Sequence, residues 1–308
     1  MSTKKVNCLN IAYLFKTSVG SINGSWTEGN VSTVKKITLP NGKQLPYVSG
    51  QSLKYQIRRG WIELGYGNQL SDVVQTSDAK GVHFTAGDPV RFLDDDLLGF
   101  MIASQGENRR RTAPVRVSAA IGVFPYRGDR DLGTKSKEQS GGDMSAGGNI
   151  YETEIYYNYF RVNFLVELDR IGNFQPFELH KDKKSVTSND LPKRKERLKQ
   201  LLESLEHIWG GGKQSRILTD MSPKFLAITF QTSKSPIFLE TLTLNEQEEL
   251  NVAAINEVLK GNESIIEKKL IGLQSGIFKN DVAKEVTDTK SIQEAWQATK
   301  TYLQTLDF

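Results

Sequence analysis

The chain has little of what a disulfide-bonded, metal-dependent or membrane protein needs. Its 308 residues include one cysteine, Cys8, and three histidines, His83, His180 and His207. One cysteine cannot form an internal disulfide, and histidines so far apart give no zinc or iron ligand spacing. The apolar runs are far shorter than the roughly 20 residues of a membrane helix, and no apolar signal core follows the first lysines. We therefore expect a cytoplasmic protein with no metal, no cofactor and no membrane partner.

Signals of hydrolytic and nucleotide-binding enzymes are also scarce. No G-x-S-x-G motif accompanies a histidine, which disfavours a serine hydrolase. The run GGGKQSR at 210–216 is not a nucleotide P-loop, because that motif requires glycine where His207 stands and serine or threonine where Gln214 stands. The triplet Asp94-Asp95-Asp96 suggests a two-metal site, but it stands where a helix N-terminus stabilises carboxylates, and we interpret it as helix capping.

Acidic residues are nearly absent from the first 60 positions. That segment has nine basic residues and one acidic residue, Glu28, a net charge of +8. Residues 240–308 have seven basic and twelve acidic residues, a net of −5, so the overall charge of +4 conceals a strong asymmetry. A basic end of this kind predicts a polyanionic partner, although an uneven solubility surface produces the same pattern.

Apolar periodicity predicts six principal elements in the order β, α, β, β, α, β. Alternation indicates strands and spacing at three and four residues indicates helices. The elements are a strand at 8–16, a helix from an N-cap at Ser49 to about Gly65, strands at 114–124 and 155–168, a helix at 191–209 and a strand at 225–230. This order is that of the α+β, ferredoxin-like fold on which RNA-recognition motifs are built.

The remaining segments are predicted to be additions to that fold. Residues 66–113 form an insertion with one short helix, and Pro40-Asn41-Gly42 marks a hairpin. Residues 125–154, with six glycines, form a hairpin excursion too polar to pack within one subunit. Residues 240–308 form a helical extension, in which Asn245 and Glu248 resemble a capping pair and an apolar stripe at 292–306 belongs to the core.

Three groups of residues are candidates for binding a polyanion. Consecutive glycines at 210–212 let backbone amides approach a phosphate, although glycine also simply ends helices. The run Arg109-Arg110-Arg111 neutralises several phosphates if it is not merely a solvated loop. Tyr157, Tyr159 and Arg161 share the strand face that the apolar stripe leaves free, where aromatics stack on bases unless the polar excursion covers them.

Five runs of the sequence carry a resemblance to a known family. They are PYVSGQSLKYQIRRGW (46–61), DDDLLGFM (94–101), RRRTAPVRVSAAIG (109–122), YNYFRVNFLVELDRIG (157–172) and GGGKQSR (210–216). In these runs the chain resembles the DevR family of CRISPR-associated RAMP proteins, the backbone subunits of type I, in particular I-B, Cascade effectors. The first and third runs are the most specific part of the resemblance.

The resemblance implies an architecture and a set of partners. It implies a palm at 1–65, 114–124 and 155–239, fingers at 66–113, a thumb at 125–154 and the C-terminal extension at 240–308. It further implies a non-catalytic subunit that polymerises head-to-tail along the crRNA and presents it to target DNA. The other partners that it implies are the remaining Cascade subunits: a guide-end-capping RAMP subunit, a large subunit and a small subunit.

The resemblance also implies which residues touch the guide. The RNA-binding residues are then Lys16, Ser49, Gln51, Ser52, Lys54, Arg58, Arg109, Arg110, Arg111, Gly211, Gly212 and Lys213. Met144 and Ile150 are the candidate thumb residues that wedge beside a displaced base.

Three alternatives stay open at the level of sequence. Target-cleaving relatives use an aspartate between the first strand and first helix, whereas the first aspartate here is Asp72, beyond that helix. A guide-processing endonuclease requires a histidine near the scissile phosphate, for which His207 is the candidate. A transcriptional regulator would be expected to show a helix-turn-helix, and none is apparent.

Overall fold

A computed structural model describes residues 5–75, 83–104, 107–135 and 149–308. The first half of the chain is rich in strands. Its elements are β1 (Cys8–Gly20), β2 (Gly24–Glu28), β3 (Val31–Val34), β4 (Lys36–Thr38), β5 (Gln44–Val48), α1 (Gly50–Glu63), a 3₁₀ helix (Gly67–Gln69), β6 (Val74–Gln75), β7 (His83–Phe84), α2 (Leu93–Leu97), β8 (Phe100–Ser104), β9 (Glu107–Arg111), β10 (Val115–Val117) and β11 (Ala120–Gly122).

The second half contains most of the helices. Its elements are β12 (Arg130–Lys135), β13 (Asn149–Glu154), β14 (Tyr156–Glu167), 3₁₀ helices at Pro176–Glu178 and Lys181–Lys183, α3 (Leu191–Glu206), β15 (Phe225–Gln231), α4 (Val252–Gly261), β16 (Ile266–Leu273), α5 (Val282–Glu285), β17 (Thr289–Ser291) and α6 (Ile292–Gln304). Within the described ranges, no helix is both long and apolar enough to cross a bilayer.

A nine-stranded sheet organises this mixed α+β fold. Its order is β17-β16-β15-β1-β14-β11-β5-β4, and β10 also pairs with β14. The central strand β1 runs antiparallel to both β14 and β15. All six predicted principal elements are present, although the predicted strand at 114–124 is broken into the short strands β10 and β11.

The central strand is buried on both sides. Leu9, Ile11, Tyr13 and Phe15 pack in one hydrophobic cluster with side chains of α1, α3 and α6. The alternate residue Leu14 packs in a second cluster with the C-terminal segment. Because successive side chains of a strand point to opposite faces, the alternating apolar residues that predict β1 all lie on the face that packs against the helices. The second layer covers a face that the sequence pattern left open.

The covering of that second face decides an alternative that the sequence left open, and it corrects two predictions for the C-terminal extension. Tyr159 is fully buried, and its ring centroid lies 5.9 Å from that of Phe278, so it is not an exposed stacking platform. The cover comes from the C-terminal extension, which is not purely helical, because β16 pairs antiparallel with β15. Asn245 organises a turn by accepting from the amide of Glu249 at 3.0 Å, whereas the next helix, α4, starts after Asn251.

A second, four-stranded sheet has the order β12-β13-β3-β2. Strands β2 and β3 lie between β1 and the Pro40-Asn41-Gly42 hairpin, in a segment where apolar periodicity predicts no element. Glu154 fastens the hairpin β12–β13 to this region, since its carboxylate accepts from the Val34 amide at 2.8 Å and from Lys36 Nζ at 2.7 Å. The expectation that the excursion 125–154 is too polar to pack within one subunit is therefore wrong at its base. Residues 136–148 lie outside the described residues.

The insertion at 66–113 is held by buried charges. Asp94, Asp95 and Asp96 occupy the short helix α2 and are all buried. Asp96 accepts from Arg111 and from Arg197, each at 2.6 Å. The residue at the N-cap of α2 is not one of the three aspartates. All three nevertheless stand in the first turn of α2, which confirms their predicted place at a helix N-terminus, and their carboxylates also neutralise arginines and bind amides inside the fold.

Asp95 makes the stability depend on pH. Its carboxyl accepts from the Asp88 amide at 2.8 Å, and burial raises its pKa to about 6. Because the folded pKa lies above the unfolded one, stability present at about pH 4 is lost as the pH rises through about 6. We expect Asp95→Asn, which keeps an acceptor without the charge, to raise the unfolding free energy by about 1 to 3 kcal/mol near pH 7.5 and to change it little near pH 4. Thermal unfolding at both pH values measures this, and an equal gain at both would contradict it.

Candidate nucleic-acid interface

The N-terminus of α1 is built to receive an anion. Ser49 follows β5 and caps the helix, its Oγ accepting from the Ser52 amide at 3.3 Å. Gly50 packs so closely on β10 that a Cβ there would lie 2.8 Å from the Val117 carbonyl oxygen. The first turn contains no acidic residue, and Gln51 is exposed beside it. Partial positive charge without a carboxylate favours a negatively charged ligand at such a terminus.

Lys54 adds a cation one turn along the same helix. Its Nζ donates to the Leu98 carbonyl at 3.1 Å, and no carboxylate of the described residues forms an ion pair with it. Burial lowers the pKa of Lys54, and the nearby Arg116 guanidinium lowers it further. Arg116 is half exposed and paired with Glu167 at 2.6 Å. A phosphate between the two cations would stabilise the charged form of Lys54.

Arg58, on the same side of α1, is already engaged. Its Nε donates to Asp94 at 2.9 Å, and its Nη2 donates to the Ser71 carbonyl. Arg58 thus fastens the insertion to α1. A phosphate contact for Arg58 has to compete with this ion pair, whereas one for Lys54 does not.

The glycine loop after α3 packs against the same helix. Gly210 and Gly211 have φ of +122° and +100°, in the left-handed region. A Cβ on Gly210 would lie 2.2 Å from the side-chain amide of Gln56 in α1, and one on Gly211 would lie 2.2 Å from Cγ2 of Ile22. The Gly212 amide donates to the Ile22 carbonyl at 2.6 Å. The loop is therefore not a bare cradle of free amides, and the phosphate contact predicted for the Gly212 amide is wrong.

The cations of this loop reach the smaller sheet. Lys213 is exposed, and its Nζ donates to Ser32 of β3 at 3.1 Å. Arg216 donates to Tyr151 at 2.8 Å and to Thr153 at 2.9 Å, both in β13. The glycine loop thus connects α1, the end of β1 and the small sheet, and it carries positive charge across the junction.

A cleft continues from this junction along the end of β1. It is lined by residues 16–19 on one side and 216–220 on the other. Lys16 lies at its edge, 3.5 Å from a carboxylate oxygen of Glu248. Leu218 is largely exposed at the cleft, which no pattern in the sequence predicts.

The three arginines of the run 109–111 have three different environments. They lie on strand β9, where successive side chains point to opposite faces. Arg109 donates to the Gly87 carbonyl and stacks over Phe100, while Arg110 is exposed. The side chain of Arg111 is 0% exposed and binds Asp96 and Glu178, each at 2.6 Å. The predicted phosphate contact of Arg111 is wrong, because its guanidinium has no surface to offer.

The candidate wedge residues are only partly visible. Ile150 is 56% exposed on β13, and Leu132 on the paired strand is 64% exposed. The register places these two apolar side chains on one face of the hairpin. Met144 lies outside the described residues. Trp26 on the edge strand β2 is 87% exposed, which the sequence reasoning missed although an isolated tryptophan in a polar passage signals it.

Comparisons with known proteins place the chain among CRISPR-associated proteins. A sequence profile described as "CRISPR-associated negative auto-regulator DevR/Csa2" matches residues 11–250. A Myxococcus xanthus (strain DK1622) protein named "CRISPR-associated protein Cas7/Cst2/DevR" is 30% identical over 164 residues, covering 48% of this chain and 54% of that protein. The match therefore spans about half the length of that relative.

Two solved structures resemble the chain over nearly its whole length. A chain of a "CRISPR RNA-guided surveillance complex, pre-nicking" has a TM-score of 0.64 at 13% identity, covering 96% of this chain and 100% of its own. A chain of a "CRISPR RNA-guided surveillance complex" has a TM-score of 0.61 at 15% identity, covering 96% and 99%. At these identities the likeness shows that the fold is shared.

Proposed function

The chain belongs to the DevR/Csa2 family of CRISPR-associated proteins, and from that membership we propose that it is the guide-RNA-binding backbone subunit of a type I-B Cascade. The observation that carries the proposal is the N-terminus of α1, which has no acidic residue in its first turn and carries Lys54 one turn along. The glycine loop packs on the same helix at Gln56 and adds Lys213 and Arg216. The net charge of +8 in the first 60 residues supports the same reading. The likeness to chains of two RNA-guided surveillance complexes supports it further.

We assign the large sheet to a ferredoxin-like palm. The strands β15, β1, β14 and β11 lie in that order, and α1 and α3 pack on one face of them. This is the arrangement expected of a split βαβ fold. In this assignment the insertion forms the fingers, and the hairpin β12–β13 is the base of the thumb.

The geometry suits backbone contacts better than base reading. A helix N-terminus, serine hydroxyls and a lysine bind phosphates without distinguishing sequences. Sequence specificity would then come from pairing between the guide and target DNA. Copies would assemble head-to-tail along the guide, with the other Cascade subunits at its ends, in the cytoplasm.

We further propose that the chain does not cut RNA. The first aspartate, Asp72, follows α1 and does not lie in the connection that precedes it. His207 is exposed at the end of α3, and no hydrogen bond joins its imidazole to another described side chain. In the described ranges, no group of three acidic, histidine or cysteine side chains is placed to hold a metal ion.

Lys54→Gln tests the proposed interface. We expect it to weaken the binding of several unrelated single-stranded RNAs by a similar factor of about ten, and to reduce the slope of log K against log salt by about 0.7, the share of one phosphate on a single strand. Fluorescence anisotropy over a salt series measures both. Lys268→Gln, which removes an exposed charge on β16, is the control.

The outcomes separate the alternatives. Wild-type protein that binds no RNA at low salt would overturn the proposed function. A change in sequence preference at unchanged affinity would show that Lys54 contacts a base. RNA recovered from the same incubations should have its original length, and shortened RNA that depends on His207 would favour the endonuclease.

A further inference from the structure

Three donors converge on one carboxylate at the edge of the cleft. The hydroxyl of Tyr157 donates to Oε1 of Glu248 at 2.6 Å, and that of Tyr159 donates to Oε2 at 2.9 Å. Lys16 Nζ lies 3.5 Å from Oε2 and 5.0 to 5.1 Å from the centroids of both tyrosine rings. These groups come from β1 and β14, and the carboxylate comes from the C-terminal segment. Together the three donors form a preorganised binding site for one anion.

The backbone at Glu248 is strained to deliver that carboxylate. Glu248 has φ of +61°, in the left-handed region, at the end of a turn closed by its amide and the Asn245 carbonyl at 3.1 Å. Glycine adopts this conformation at no steric cost, whereas other residues hold it at a cost of free energy. A glutamate at this position indicates that its side chain has a role that glycine could not perform.

We infer that Lys16, Tyr157 and Tyr159 form a subsite for one phosphate of single-stranded RNA, which the Glu248 carboxylate occupies in the free chain. The inference rests on the proposed function. A carboxylate and a phosphodiester both accept from hydroxyl and ammonium donors, so the same three groups bind either. Lys16 also lines the cleft that leads to Arg216, so an RNA backbone on the glycine loop has a continuous path to the subsite.

The charges at the subsite allow this exchange. Burial lowers the pKa of Lys16, but its contacts with Tyr157 and Glu248 raise it by more. Burial raises the pKa of Glu248, but the two tyrosine hydroxyls and Lys16 lower it by more. Both groups are therefore charged at neutral pH. An incoming phosphate replaces one anion by another, and the displaced carboxylate regains water because its side chain is already 25% exposed.

A purely structural clasp is the alternative role of Glu248. The segment that carries it is also fastened in two other ways. Arg161 of β14 pairs with Glu240, and Leu250 and Val252 are buried in one hydrophobic cluster with Leu14 and Tyr159 of the sheet. Release of Glu248 therefore leaves the segment attached to the sheet.

The test compares Glu248→Gln with Glu246→Gln. Both variants remove one negative charge from the same turn, but Glu246 is exposed and lies outside the subsite. We expect Glu248→Gln to bind a single-stranded oligouridylate about three- to tenfold more tightly than Glu246→Gln. The slope of log K against log salt should also be steeper by about 0.7, because one more phosphate is neutralised. Adding Lys16→Met to Glu248→Gln should abolish both gains.

Each outcome decides one question. Equal affinities of the two glutamine variants, with RNA binding by the wild type, would overturn the subsite and leave the proposed function standing. Weaker binding by Glu248→Gln, with a lower melting temperature, would show a clasp instead. If the gain in affinity persists when Lys16→Met is added, Lys16 is not part of the subsite. Absence of RNA binding by the wild type and all variants would overturn the proposed function itself.

Discussion

Replacing Asp96 by alanine should lower the free energy of unfolding by about 3 to 5 kcal/mol, because it leaves the buried Arg197 without its counter-charge and the buried Arg111 with only Glu178. Asp96 and Arg111 are 0% exposed, and Arg197 is nearly so. The Asp96 carboxylate also accepts from the Gly172 amide at 2.9 Å. One carboxylate thus joins the insertion, α3 and the turn after β14, and its loss leaves the Arg197 charge and the Gly172 amide without this acceptor at once.

Chemical denaturation of Asp96→Ala measures this effect, and Arg110→Gln is the control. Arg110 is exposed, adjacent to Arg111 in the same run. We expect its replacement to change stability by less than about 0.5 kcal/mol. An Asp96→Ala protein as stable as the wild type would mean that the two arginines find other partners or solvent. The insertion at 66–113 would then be held by packing alone.

Loss of Asp96 should also affect RNA binding, because α2 lies beside two cations of α1. Leu98, just after α2, accepts from Lys54, and Arg58 pairs with Asp94 in α2. Loosening of α2 therefore disturbs both cations on α1. Asp96→Ala should weaken RNA binding indirectly, in parallel with its loss of stability, whereas Lys54→Gln should weaken it without one.

The elements set by local chemistry were predictable from sequence. Ser49 caps α1 as predicted. This cap is a local feature, because the hydroxyl accepts a hydrogen bond from the amide only three residues further along the chain. The alternation of β1 and β14 predicted the central pair, since one face of each strand is continuously apolar. The apolar stripe at 292–306 is core, as α6 buries Trp296 and Leu303.

Features that depend on contacts between residues far apart in the sequence could not be predicted from it. Arg110 and Arg111 are identical neighbours in sequence, and only the packing of α2 and α3 makes one exposed and the other buried. Strands β2 and β3 have no apolar period because β2 is wholly exposed and pairs at one edge only. The turn at Asn245 has the local signal of a helix cap, but the carboxylate of Glu248 in this turn accepts from Tyr157, 91 positions away.

Replacing Gly211 by alanine should reduce RNA affinity by more than about tenfold and lower the unfolding free energy by about 2 to 4 kcal/mol. The added Cβ would lie 2.2 Å from Ile22 Cγ2 and 2.8 Å from the Ile22 carbonyl oxygen, and a backbone oxygen cannot rotate away. The φ of +100° is a conformation that alanine rarely adopts. The loop must therefore move away from the end of β1 and from α1.

Two further variants distinguish the effect of a displaced loop on RNA affinity from the effect of a general loss of stability. Gly261→Ala, at the end of α4, where no atom lies within 4 Å of the added Cβ and φ is not positive, should leave RNA affinity unchanged and raise the unfolding free energy by at most about 1 kcal/mol. Lys213→Gln should keep the stability and lose only the share of one phosphate, seen as a salt slope smaller by about 0.7. If Gly211→Ala unfolds more easily but binds RNA as the wild type does when folded, the glycines only terminate α3. If it loses affinity by far more than Lys213→Gln does, the close approach of the loop to Ile22 and Gln56 holds the phosphate-binding surface together.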